Sequence, residues 1–206
     1  MEFWNDISTD KSWNVLIDLA KKYDFIVIGG WAAYLHTKTL KSKDIDIVVN
    51  FDTLEKIGME HQLKKNSNLK KYEIVISEIS VDIYVPFFSN LIIPVSSLEE
   101  YYISMEGIKV VAPEVLLILK QQAESERKDS VKGQKDRIDI VSLLINSNID
   151  LKKYSEFVKK YNLKNYPIKL REIIRNARAE FHYLGVDNLR KVKLLKRDLL
   201  DKLKIK

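Results

Sequence analysis

Cysteine is absent from the 206 residues, which excludes a disulfide framework, a thiolate metal centre and a cysteine nucleophile. A reducing interior suits such a chain. No apolar run approaches the roughly 20 residues of a membrane span, and the start Met1-Glu2-Phe3-Trp4-Asn5-Asp6 lacks the basic and apolar regions of a signal peptide. A cytoplasmic protein without membrane association is expected. Only three histidines occur, His36, His61 and His182, each without a carboxylate or second histidine at ligand spacing, which argues against a zinc site. Neither a Gly-x-Ser-x-Gly elbow nor a Gly-x-x-x-x-Gly-Lys-Ser/Thr loop is present, so a serine hydrolase elbow and a P-loop are both disfavoured. Glycine and proline number 6 and 4, and no internal repeat or low-complexity tract interrupts the chain.

What is present is a core-forming composition, 46% hydrophobic, enough for one domain or a domain with a helical appendage. Charge is divided unequally. Residues 151–206 hold 17 Lys and Arg against 6 Asp and Glu, a net of +11, which leaves −5 for residues 1–150 within the total of +6. A basic segment following an acidic one suits a polyanion such as RNA. The same charges also read as solvated faces of amphipathic helices.

Periodicity divides the chain into an α/β half and a helical half. A first helix is expected over 9–23 with Thr9 or Asp10 as cap, then a strand at 25–28, a helix at 30–37 and a strand at 44–49. A helix begun by Asp52 runs to about Lys65, strands follow at 71–77 and 80–86, and a short strand at 108–111 closes the half. Pro113 then opens a helix. The polar stretch Ser125 to Gln134 reads as a mobile loop, followed by helices at 135–146, 150–162, 168–184 and 187–204. The fold class is therefore α/β (α+β), with residues 1–112 as a small mixed-sheet core flanked by helices and 113–206 as a helical region carrying the basic surface.

Two features of the first half carry chemistry. Phe25-Ile26-Val27-Ile28 runs into Gly29-Gly30, where absent side chains let the backbone bend and approach a ligand, and the next helix turns its N–H groups toward an anion. In Asp44-Ile45-Asp46-Ile47-Val48-Val49, residues i and i+2 of an extended segment share a side, so two carboxylates stand together over an apolar backing. Such a pair calls for a proton or a cation, and Mg²⁺ or Mn²⁺ is the simplest. Asp82, in Val81-Asp82-Ile83-Tyr84-Val85, supplies a third acid, with Glu73 and Glu78 as nearby alternatives. Three carboxylates on neighbouring strands can hold two metals for displacement at phosphorus. Each motif also has a plain structural reading, as a tight turn or as the wet side of a half-exposed strand.

Gly29-Gly30-Trp31-Ala32, Lys41-Ser42-Lys43-Asp44-Ile45-Asp46 and the later Asp82 together resemble the DNA polymerase β-like nucleotidyltransferase superfamily. Downstream, Lys120, Arg127, Lys135, Asp136 and Asp139 follow the order found in small microbial nucleotidyltransferases related to abortive-infection toxins. The chain departs from the pattern at Trp31, where many members place a serine, and at Lys41-Ser42, where relatives often carry Arg-x-Thr. The resemblance implies transfer of a nucleoside monophosphate from a nucleoside triphosphate to a hydroxyl acceptor with release of pyrophosphate. Asp44, Asp46 and Asp82 would bind metal and act in catalysis. Nucleotide contacts are expected from Gly29, Gly30, Lys41, Ser42, Lys120, Arg127, Lys135 and Asp139, with His36 at most near the nucleotide. Asp136 reads as a helix-start residue, Asp139 as a partner of Arg137 or Lys135, and Lys120 with Arg127 equally as a solvated helix face. RNA including tRNA, a protein or a small molecule would each serve as acceptor, and a partner protein is a further expectation. A silent nucleotide- or RNA-binding module and a toxin–antitoxin component are the alternatives.

Overall fold

Short apolar segments build the centre of a seven-stranded mixed sheet in a computed structural model that describes residues 6–204. Residues 1–5, part of the start read as lacking a signal peptide, and 205–206 lie outside the described residues. The chain separates into two units, Met1–Ala112 and Pro113–Lys206.

The first unit opens with α1 (Asp6–Lys22), which carries Asp6 in its first turn and Lys21 and Lys22 in its last, each favoured by the helix dipole. Next come β1 (Ile26–Ile28), α2 (Gly29–Thr37), β2 (Ile45–Val48) and α3 (Phe51–Glu60). Strands β3 (Lys64–Asn66), β4 (Lys71–Ile76) and β5 (Ile79–Tyr84) follow, then a 3₁₀ turn at Val95–Glu100, β6 (Tyr102–Met105) and β7 (Ile108–Val111). The strand order is β3-β4-β5-β2-β1-β7-β6. The β1/β7 and β2/β5 pairs are parallel, and the other four are antiparallel. Ile45, Ile47, Val81 and Ile83 are fully buried, as alternation requires of one sheet face.

Trp31 lies on α2 inside this core. Its indole N–H donates to Ser12 Oγ at 2.9 Å, and its ring sits 5.1 Å from that of Trp13 and 5.5 Å from that of Tyr34. Trp31, at the position where the resembled pattern often carries a serine, is thus a packing residue with its indole fully buried. Trp31→Ala is expected to cost about 3–5 kcal/mol, the usual loss for a buried aromatic, measured by denaturant unfolding. A loss below about 1 kcal/mol would contradict this packing role.

The second unit contains α4 (Pro113–Arg127), α5 (Val131–Asn146), α6 (Leu151–Lys160), α7 (Tyr166–Asn176), α8 (Ala179–Tyr183) and α9 (Leu189–Lys202). Ser130 caps α5 by accepting from the Gly133 N–H. A Cβ on Gly133 would press on the Arg127 carbonyl, with the Arg127 carbon at 2.9 Å, so the glycine permits a tight α4–α5 turn. The mobile loop expected over Ser125–Gln134 therefore shrinks to the three residues 128–130. Two further corrections have backbone causes. Helix α3 is capped by Asn50 and stops at Glu60, because Lys64–Asn66 pairs with β4 as an edge strand. The helix expected over 168–184 breaks at Ala177–Arg178 into α7 and α8.

Candidate active site

Strand register decides the site in the first unit. Ile28, Asp46 and Asp82 are successive partners across β1, β2 and β5, so the Asp46 side chain rises beside the β1–α2 bend and Asp82 stands next to it. Gly29, at the bend, has φ of +65°, and a Cβ there would lie 2.7 Å from Asp46 Cγ. Only glycine meets both conditions. Helix α2 starts at this residue with no side-chain cap from Ile28 and no acidic residue in its first turn, so the positive end of its dipole lies beside the Asp46 carboxylate. Gly29→Ala is expected to destabilise the protein by about 2 kcal/mol or more, combining left-handed strain with displacement of Asp46. Thermal unfolding checks this, and an unchanged melting temperature would show that the bend tolerates a side chain.

Asp44 lies in the bend just before β2, two residues from Asp46, and both are half-buried. Burial pushes the Asp82 carboxyl above its ordinary value; Lys71 opposes the rise without cancelling it, and Glu73 and Asp44 add to it. The Asp44 charge is therefore felt at Asp82. Lys71 Nζ bonds Asp82 Oδ2 at 2.5 Å and reaches Glu73 Oε1 at 3.3 Å, while Asn66 donates to the same Glu73 oxygen at 2.9 Å. Lys71 and Glu73 join the site unforeseen in these roles. Their shared side of β4 is readable from i, i+2 spacing, but their place opposite Asp82 depends on the β4–β5 pairing of Glu73 with Asp82. Among the described residues, no group of three or more His, Asp or Glu side chains is drawn together as a ready metal cage. A lysine ammonium stands on one of the three carboxylates.

Other expected contacts take varied positions. Lys41 Nζ pairs with Asp10 at 2.6 Å, and Ser42 is buried. His36 Nε2 lies 2.8 Å from the Val111 carbonyl, which ties α2 to β7. Glu78, one alternative third acid, sits at the β4–β5 turn and pairs with Lys11.

In the second unit, the downstream motif residues converge on one another. The Arg127 guanidinium grips both oxygens of Asp136, Nε to Oδ2 at 2.7 Å and Nη2 to Oδ1 at 3.1 Å. Lys120 Nζ bridges Asp136 at 3.1 Å and Asp139 at 2.6 Å, and Lys135 reaches Asp139 at 3.2 Å. Lys120, Lys135, Asp136 and Asp139 are all buried, which replaces the solvated-face reading of Lys120. Asp139 pairs with Lys135 but not with Arg137, which binds Glu124 and Glu180 instead. Asp136 lies in the second turn of α5 and does not begin it. Burial alone would raise the Asp136 carboxyl, but Lys120 and Arg127 outweigh it and hold the group below its ordinary value. Burial pushes the Lys135 ammonium down despite Asp139.

No protein-family model and no curated protein matches this chain. Among solved structures, JHP933 from Helicobacter pylori aligns with a TM-score of 0.52 at 14% identity, over 97% of this chain and 94% of that one. A "putative nucleotidyltransferase" from H. pylori aligns with a TM-score of 0.52 at 14% identity, over 98% of each chain. The Megavirus polyadenylate synthase aligns with a TM-score of 0.49 at 15% identity, over 67% of this chain and 31% of that one. The mixed sheet flanked by helices is a nucleotidyltransferase fold.

Proposed function

We propose that this protein transfers a nucleoside monophosphate from a nucleoside triphosphate to a hydroxyl-bearing acceptor, releasing pyrophosphate. The observation that carries the reading is the register Ile28–Asp46–Asp82, which sets two carboxylates side by side at the foot of an uncapped helix N-terminus, with Asp44 just upstream. The fold shared with the H. pylori protein supports it.

In this reading Asp44, Asp46 and Asp82 hold Mg²⁺ or Mn²⁺. The chemistry of these donors, half-buried carboxylate oxygens with Gly29 keeping a Cβ off Asp46, suits a hard divalent cation, which would draw the three together and take the place of the Lys71 ammonium on Asp82. Bound there, such ions lower the pKa of an acceptor hydroxyl and stabilise charge on the transferring phosphoryl group. Gly29 and Gly30 present backbone N–H groups to the phosphates at the start of α2. Asp82, its carboxyl raised by burial, takes the proton from the acceptor hydroxyl. Before metal binds, Lys71 offsets the negative charge gathered around Asp82.

Incubation with Mg²⁺ and each α-labelled nucleoside triphosphate, with and without total RNA, tests the reading. Label should pass to an acceptor as pyrophosphate appears, and both should require the divalent ion. Nucleotide binding with no pyrophosphate from any triphosphate or acceptor would instead assign a silent binding module.

A further inference from the structure

Helices α7 and α9 border a groove of about 650 Å³ in which seven cationic side chains meet one carboxylate. Arg171 and Arg175 stand one turn apart on α7, while Arg190, Lys193 and Arg197 fall at i, i+3 and i+7 along one side of α9. By helix rise, the α9 row spans roughly 10 Å. Leu194 and Leu200 supply the apolar part of the lining.

A surface of this kind is unfavourable unless something answers its charge. The carboxylates of α9 answer it only in part: Asp198 pairs with Lys202 at 2.8 Å, outside the lining, while Asp201 pairs with the groove's Lys204 at 2.6 Å and its charge is also felt by Arg197. Among the described residues, none of Arg171, Arg175, Arg190, Lys193 and Arg197 forms an ion pair with a carboxylate. Lys196 turns its ammonium to the Arg175 carbonyl at 2.8 Å. Its pKa is pushed down by burial and by the nearby Arg178 guanidinium, as expected where cations crowd. Two rows of cations without carboxylate ion pairs, richer in planar guanidinium forks than in ammonium groups, match a chain of regularly spaced phosphates better than a single anion. The net +11 of residues 151–206 extends the same field beyond the groove.

We infer that the α7–α9 groove binds the phosphate backbone of RNA and that RNA is the acceptor class, an inference resting on the nucleotidyl-transfer reading for its second half. The contacts are to phosphates, so binding is sequence-tolerant and strongly salt-dependent.

The test measures binding of a labelled single-stranded RNA to the full chain without nucleotide across a salt series. A variant with Arg175→Gln, Arg190→Gln, Lys193→Gln and Arg197→Gln removes four exposed charges. At about 0.7 per phosphate contact, the slope of log K against log salt should fall by about 3, with affinity down at least about tenfold at physiological salt. RNA labelling by α-labelled triphosphate should fall with it. The same four positions all as Lys should keep most of the slope, which separates charge from folding. Asp46→Asn should bind RNA as the wild type does.

Unchanged RNA binding in the Gln variant would overturn the groove while leaving nucleotidyl transfer to stand. RNA held by the groove with no transfer from any triphosphate would overturn the transfer reading and the acceptor assignment, leaving the groove as an RNA surface. Polyglutamate bound as tightly as RNA would reassign the groove to an acidic protein and overturn the inference.

Discussion

Asp46→Asn is expected to reduce Mg²⁺-dependent pyrophosphate release by at least about 10²–10³-fold, the scale of removing one preorganised charge-stabilising group. Asparagine keeps the shape that fits beside Gly29 but surrenders the charge. Folding should not suffer, because Asp46 stands beside Asp82 and two residues from Asp44, and loss of one anion from such a group relieves repulsion. The melting temperature should equal or exceed that of the wild type. Full activity in this variant would remove Asp46 from the chemistry. Asp82→Asn separates metal holding from proton acceptance less cleanly, since it also takes a partner from Lys71, which retains Glu73 at 3.3 Å.

Within the second unit, a large loss of stability should come from Asp136→Ala. Its carboxyl is 2% exposed and answers both Lys120, at 6%, and Arg127. Removing one partner of a buried ion pair leaves uncompensated charge and costs about 3–5 kcal/mol, or roughly 6–20 °C in melting temperature for a chain of this size. Lys120 keeps Asp139, so the lower part of that range is expected. A drop under about 1 kcal/mol would mean that the cluster is not held by pairing.

Acid pH should reproduce part of this effect. With a folded pKa below the ordinary 3.8, Asp136 contributes stability that is fully present above about pH 4 and is lost as pH falls through the lowered folded value. Lys135 acts in the opposite region. Its lowered pKa makes charging it in the folded state unfavourable, a penalty relieved only as pH rises through that value. Unfolding followed against pH should therefore show the acid loss in the wild type and a weaker one in Asp136→Ala.

The fold was legible where side-chain period and core coincide. The strand at Ile108–Val111 appears with the expected bounds because its inward residues are apolar and its ends carry turn signals. Edge strands escaped for the converse reason: Lys64-Lys65-Asn66 has no apolar alternation, and only backbone pairing with β4 makes it a strand. In the site, Asp44, Asp46 and Asp82 stood out as acids set into apolar segments. Lys71 did not, because its ion pair exists only through a register set at the β4–β5 turn, where Ser77 and Glu78 both take positive φ without being glycine. Helical spacing put Lys120 and Arg127 on one face, yet spacing alone cannot distinguish a solvated stripe from cations buried against Asp136.

A crystal structure grown with Mn²⁺ and a non-hydrolysable nucleoside triphosphate tests the central claim most directly. Anomalous density should appear roughly 2.1 Å from Asp44 and Asp46 oxygens, Lys71 should give up its hold on Asp82, and the triphosphate should lie against the Gly29–Gly30 amides. Nucleotide bound elsewhere, with the three carboxylates metal-free and Lys71 still in place on Asp82, would contradict the account.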